Sequence, residues 1–345
     1  MVEFLNRYVS ITKEGSTYGN TSGGGTEVYG EVDDESFGHR YDLLTRTDMS
    51  RAVASKSVTG TEYSEGGINM ALQIDDFVGN IFAAFFPDTD YNSDITGGHT
   101  FNEPSAAGHT YNSYTIEVGR EQKEHIYTGM VANTLSMTAS VGEYVMLSAD
   151  FVGKAESGTN AIQTASFDGD ALDALYFSNG NIYFDDGAGT GPAASASVKS
   201  FSFDVTLNRD QDNAYSLGNS TYGRAPPSQK REISGTIEFN TVLYGDQALD
   251  EPDYDQLIAA DGLTYTDADA DATISLKLLQ ESGADYIHVD FYNVRFEAPE
   301  ASVSGRDTNT MSVGFIGLYD ANASGADKAM MISMKGGAAM TSGAY

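Results

Sequence analysis

One order of elements is written twice along this chain, and each copy is built from segments that alternate apolar and polar residues. In the first half the alternating segment is 68–74, with a helical stretch at 77–86 and a later strand closing on Phe151-Val152-Gly153. In the second half the matching pieces are 233–239, 254–260 and Phe315-Ile316-Gly317. A two-residue period sends successive side chains to opposite faces, so these segments fit sheets with one buried face and little else. Phe201, Phe203, Val205 and Leu207 fall on one side of such a strand, and Ser202, Asp204 and Thr206 on the other. Segments 114–118 and 273–278 alternate in the same way.

The expected fold class is mainly β: two tandem β-sandwich or barrel domains, 1–160 and 161–345, each with one short flanking helix. In the first helix Asp75 or Asp76 caps a stripe of Phe77, Ile81 and Phe85. The second follows Asp250-Glu251-Pro252, carries Tyr254, Leu257 and Ile258, and ends at Gly262. Apolar parity shifts near Asn133 and again near Asn293, which predicts a β-bulge at each and sets the two asparagines at equal places in the halves. The Ser/Gly/Ala-rich segment 155–173 reads as a linker, and 185–197 as a second low-order stretch. Residues 330–334 read as a frayed end, with a strand swapped onto a neighbouring copy as the alternative.

Charge narrows the function. The 345 residues carry 50 acidic against 19 basic side chains, a net charge of -31. Tight nucleic-acid binding needs clustered Lys and Arg for the phosphates, so it is excluded. Two readings of the charge stay open: solubility, or a surface that repels DNA and lets it slide past. With no cysteine in the chain, disulfides and thiolate metal sites are ruled out. Residues 1–20 hold no apolar signal-like core, and the most apolar stretch, 77–86, is too short to cross a bilayer, which predicts a soluble protein.

No catalytic pattern emerges. His39, His99, His109, His125 and His288 show no metal spacing, with His125 and His288 expected on exposed strand faces. The Gly-rich 187–191 lacks the Lys-Ser/Thr of a phosphate loop. Asp267, Asp269 and Asp271 alternate as calcium ligands do, but Ala272 stands where the loop glycine belongs and Leu278 where the distal acid belongs. They are weak metal candidates and read as a solvated turn before a strand. The expectation is a non-enzyme without a cofactor.

Three long polar segments, 31–56, 88–112 and 208–230, are either mobile surface or working loops. The first holds Arg46 and Arg51, and the third Tyr215, Tyr222 and Arg224. Tyr and Arg favour interface centres, which makes these five the interface candidates.

The opening Arg7-Tyr8-Val9-Ser10-Ile11-Thr12-Lys13-Glu14 with Thr17-Tyr18-Gly19 resembles the N-terminus of tail tube proteins of long-tailed, non-contractile phages. The strand-Asn-strand-Phe-x-Gly ending of each half is similar to that family, as is 201–208 continued by Leu217-Gly218 and Ile233-Ser234-Gly235-Thr236. The resemblance implies a structural virion protein, assembled in the host cytoplasm and located in the tail. Its domains would form rings stacked into a hollow tube, with other tail proteins at the ends and DNA passing without tight binding, and no membrane involved. Two tandem domains per chain imply three-membered rings with pseudo-sixfold symmetry. Strand alternation offers Glu117, Asp204 and Glu238 as lumen candidates. Competing readings are another virion or secretion-tube β protein, a capsid decoration protein, and a tandem β-sandwich adhesin or carbohydrate binder.

Overall fold

In the computed structural model the chain is mainly β. The structure describes residues 7–20, 24–92, 98–103, 112–167, 174–184, 193–195, 197–242, 252, 257, 264–266, 274–280, 285–302, 310–319 and 328–336. The first half contributes β1 (Arg7–Lys13), β2 (Val28–Gly30), β3 (Asp34–Glu35), β4 (Gly38–Arg46) and β5 (Lys56–Ala71), then helix α1 (Asp76–Phe85). There follow β6 (Asp88–Asn92), β7 (Gly98–Asn102), β8 (Tyr114–Arg120), β9 (Lys123–Ser140), β10 (Met146–Gly153) and β11 (Ala155–Ala161). The second half opens with β12 (Gly180–Phe184), β13 (Ala193–Ala194), β14 (Val198–Thr206), β15 (Glu232–Phe239), β16 (Thr264–Thr266) and β17 (Ile274–Leu279). It closes with β18 (Tyr286–Phe291), β19 (Asn293–Phe296), β20 (Glu300–Ser302), β21 (Thr310–Gly317) and β22 (Met330–Lys335).

The order of connections recurs. The ladders β4–β5–β10–β9 are matched by β14–β15–β21–β19, and β1–β8–β9–β11 by β12–β17–β18–β22. The halves also share sheets. The larger sheet runs β16-β19-β21-β15-β14-β9-β10-β5-β3 without a break, and it crosses between halves where β14 pairs with β9. The other runs β13-β12-β17-β18-β22-β7-β6, crossing where β22 pairs with β7. Buried aromatics fill the space between: Phe201, Phe203, Phe291 and Phe315 pack with ring centroids 5.3–6.3 Å apart. Such aromatic contacts add to area burial in holding layers together.

Helix α1 matches its sequence signature. Asp75 accepts from the Val78 N–H at 2.8 Å, and every residue from Phe77 to Phe85 is buried. Arg231 of the second half closes its far end, donating to the Phe85 carbonyl at 2.5 Å with its guanidinium over the Phe86 ring. The helix expected at 254–260 lies outside the described residues, except for a buried Leu257.

Several expectations are corrected. Segment 31–56 holds β3 and β4, 88–112 supplies the β6–β7 hairpin, and 155–173 begins with β11. Residues 330–334 are not frayed; they form β22, buried between β18 and β7. β4 is exposed on both faces, so no burial period betrays it. His125 and His288 are not on open faces either. His125 lies 2.7 Å from Glu156, and burial with the nearby Lys277 pulls His288 down to about 4.

Register also corrects the internal match. Phe151 stands opposite Gly66, and Phe315 opposite Gly235. Ile68 is therefore level with Ile237, not with Ile233. Asn133 is a bulge residue, for pairing with β10 skips it between Ala132 and Thr134. Val131 faces Val152, whereas Arg295 faces Ile316, so the place of Asn133 is taken in the second half by Glu297 and not by Asn293. Parity along one strand cannot report register, which is set by the partner.

Candidate assembly edges and conduit face

The outward face of the larger sheet is one continuous polar surface. A single row of paired residues crosses it: Asp34, Asn69, Ser148, Ser136, Asp204, Ser234, Ile316 and Arg295. Asp150, Glu232 and Glu238 share this side, because alternate residues of each strand carry the hydroxyls and acids while their neighbours fill the core. Lys199 is neutralised by Glu238 at 2.9 Å. Carboxylates thus outnumber cations on a surface otherwise made mainly of Ser, Thr and Asn, with Met146 and Ile316 as exposed apolar exceptions. Two of the three lumen candidates, Asp204 and Glu238, lie here.

Glu117 does not. It lies on β8 opposite Ser10 of β1, on the side that Tyr8 shares, beneath the segment around Gln163 and Phe167. Three carboxylates gather there. Tyr8 donates to Glu124 at 2.6 Å, and Ser10 donates to Glu27 at 2.8 Å. Burial, then the charges of Glu27 and Glu124, push the Glu117 carboxyl up from 4.5 to about 7. The folded chain therefore holds a proton that the unfolded chain releases. This group's contribution to stability is complete below pH 4.5, is lost as pH rises to about 7, and is constant above. Glu117→Gln should remove that slope: urea midpoints of variant and parent, measured from pH 4.5 to 8, diverge in favour of the variant up to pH 7 and then run parallel.

The interface candidates separate into two groups. Arg46 ends β4 and Arg51 lies beyond it, both exposed on an arm formed by β4 and the start of β5. Tyr41, Leu43, Leu44 and Val58 are each more than half exposed on that arm, an amount of open apolar surface of the kind found at contacts with another protein. The 208–230 segment behaves otherwise. Tyr222 is fully buried, stacked on Tyr63 and tilted against Tyr215, and its hydroxyl donates to Gln211 at 2.9 Å. Its surface is spent inside the chain, which corrects its assignment to an interface. Tyr215 is half-buried beside it. Arg224 remains exposed and donates twice to the Asn213 carbonyl, at 3.1 and 2.9 Å, tying the loop shut. The Glu62 N–H donates to the Ser220 carbonyl at 2.8 Å, docking the loop on the base of the arm.

The two ends of the larger sheet complete the site. At one end β3 and β4 pair with β5 and with no other strand among the described residues. Between them sits Phe37, whose N–H donates to Glu35 Oε2 at 2.9 Å and whose carbonyl accepts from Arg120 Nη2 at 2.6 Å. Arg120 grips the Glu35 carboxylate with both arms of its fork, at 2.9 and 2.8 Å. At the other end β16 covers β19, while β20, which follows β19 along the chain, pairs only with β21 among the described residues. Glu35 and Arg120 lie 85 positions apart and left no signal in the sequence.

Asp267, Asp269 and Asp271 lie outside the described residues, as does His109. Among the described residues no group of three or more His, Asp or Glu side chains is placed to hold a metal ion. No described helix is long and apolar enough to cross a membrane.

No curated protein matches the chain. A family model described as phage tail tube protein matches residues 6–333, nearly the whole length and both halves. A β-rich chain with paired open edges and an acidic, hydroxyl-rich sheet face accords with that match, and the chain belongs to the phage tail tube protein family.

Proposed function

We propose that copies of this chain join edge to edge into rings, that the rings stack into a hollow tube, and that DNA travels through it during ejection. Membership of the family makes the chain a structural component of the virion tail that assembles with other copies and other tail proteins. In the finer reading, residues 1–160 and 161–345 act as two tandem tube domains, and three chains make a ring with pseudo-sixfold symmetry. The carrying observation is the larger sheet, which passes from one half to the other through β9 and β14 and presents one acidic polar face throughout. Repeating that join between chains would curve the face around a bore. Like charge keeps a passing duplex from adhering, since binding strength would come from clustered cations and carboxylates outnumber cations on this face. The exposed arm with Arg46 and Arg51 supplies the contact between rings. Tube ends would meet other tail proteins, and assembly would take place in the host cytoplasm.

Electron microscopy of the purified chain, with symmetry measured from end-on views, tests this reading. Rings or tubes of three chains with sixfold-like lobes are expected. A protein that stays monomeric at every concentration and salt tried would sink it.

A further inference from the structure

We propose that the sheet edge around Phe37 receives strand β20 of a second copy, in the register that β14 takes on β9, and that Glu35 and Arg120 guard this edge in the free chain. The inference rests on the reading that copies join edge to edge, and it adds which edges meet, in what register, and what holds them apart.

The register follows from the pairing already made inside the chain. Phe203 of β14 stands opposite Gly235 on one side and opposite Met137 of β9 on the other. Phe37 occupies the place of Phe203, because β3 and β4 keep a register on β5 that sets it level with Gly66, the glycine opposite Phe151. Met137 faces Leu147, four residues before Phe151, and Ala301 faces Met311, four residues before Phe315. Ala301 is thus the counterpart of Met137. Transferring the internal ladder sets Phe37 of one copy opposite Ala301 of the next, Ser36 opposite Ser302 and Gly38 opposite Glu300.

The guard follows from where the bonds point. The Ser36 N–H donates to the Gly67 carbonyl at 2.9 Å, so Ser36 turns its backbone toward β5 and Phe37 turns its own away from it, to the side that Arg120 and Tyr127 cover. In the internal join the Leu207 N–H donates to the Asn133 carbonyl, and the Val141 N–H to the Lys199 carbonyl, both at the same parity as Phe203 with Met137. A docked Ala301 would therefore exchange bonds with both backbone groups of Phe37. In the free chain the Glu35 carboxylate takes the N–H, and the carbonyl accepts from the Arg120 guanidinium and, at 3.3 Å, from the Tyr127 hydroxyl. The charged pair, Glu35 and Arg120, thereby mimics a neighbouring strand. Charged groups at an edge are a known means of preventing indiscriminate pairing. Pro299, beside β20 and without an N–H, shortens the ladder that any wrong partner could form.

Two experiments on the full chain decide the matter. The chain has no cysteine, so Ser36→Cys with Ser302→Cys creates a single reactive pair. That pair sits at a non-hydrogen-bonded level, where cross-strand Cβ atoms come close enough for a disulfide. Mild oxidation of assembled protein should give covalent multimers, whereas Ser36→Cys with Ser312→Cys should give none. Separately, Arg120→Ala should shorten the lag of assembly about tenfold, the effect of one charge-assisted bond no longer to be broken. Added salt should quicken the parent and leave Arg120→Ala unchanged, with circular dichroism of the monomer confirming its fold. Tubes without the 36–302 crosslink overturn the register while leaving the tube reading intact. A crosslink with an unchanged or longer lag in both Arg120→Ala and Glu35→Gln overturns the guard. No assembly of any kind overturns this inference together with the function it rests on.

Discussion

Glu14→Ala should lower the stability of the monomer by roughly 3–5 kcal/mol, read as a drop in urea midpoint at constant slope. Glu14 is a buried carboxylate with a full set of donors. Gly19 N–H and Gly129 N–H reach it at 2.8 and 2.7 Å, Ser113 and Thr115 hydroxyls at 2.5 and 3.0 Å. The Glu14 N–H in turn donates to the Ser113 carbonyl at 2.8 Å. One side chain thereby ties the end of β1 to β8, to the middle of β9 and to the turn at Gly19. Gly129 has φ +66, a left-handed conformation that aims its amide at the carboxylate and that residues with a side chain rarely adopt. Removing the acid strands two amides and two hydroxyls in a dry space. Glu14→Gln should cost less, because the amide oxygen still accepts while its NH2 faces groups that donate. An alanine variant within 1 kcal/mol of the parent would show that water replaces the carboxylate and that the network is not what fixes β1.

Gly235→Ala should cost about 3 kcal/mol, at the upper end for an overpacked core, and Gly223→Ala no more than about 0.5 kcal/mol. A methyl at Gly235 would lie 2.3 Å from Phe315 Cζ and 2.5 Å from the Ser202 carbonyl oxygen. The first contact is with a ring locked among Phe201 and Phe291, and the second is with backbone of a paired strand. Neither has room to retreat. At Gly223 the nearest atom is a serine hydroxyl at 3.1 Å. Gly66 is under the same pressure, with a methyl 2.3 Å from the Phe37 Cα. The two glycines mark one place in the repeated plan, each opposite the aromatic of a Phe-x-Gly. Thermal melts of Gly235→Ala, Gly66→Ala and Gly223→Ala give the ranking; equal midpoints for Gly235→Ala and Gly223→Ala would refute the close-packing account.

These residues show what was legible from sequence. Strands with one covered face announced themselves, since Phe201, Phe203 and Val205 alternate with Ser202 and Asp204 and are buried in that pattern. Helix α1 was legible for the same reason, with its cap and its apolar run. The same parity placed Asp204 and Glu238 on the outward face. It did not separate Glu117 from them, because alternation names two sides of a strand without saying which is later covered by another segment. It missed β3, β4, β6, β7 and β11 because their sequences carry no sustained two-residue alternation of apolar and polar residues. Tyr222 looked like an interface residue because a buried tyrosine and a contact tyrosine are identical in one dimension. The Glu35–Arg120 pair was invisible, since it exists only after β3 and β8 are brought together.

The join between β7 and β22 has a kinetic meaning. Asn102 and Met331 are partners across roughly 230 positions of chain. Closing so wide a loop is entropically slow, and non-local β pairing is the feature that most retards folding. Until that ladder zips, the β6–β7 hairpin offers an unmatched border to the surrounding solution. Time spent in this half-built state, more than the strength of the finished one, then sets how much protein is lost to aggregation before it can be put to use.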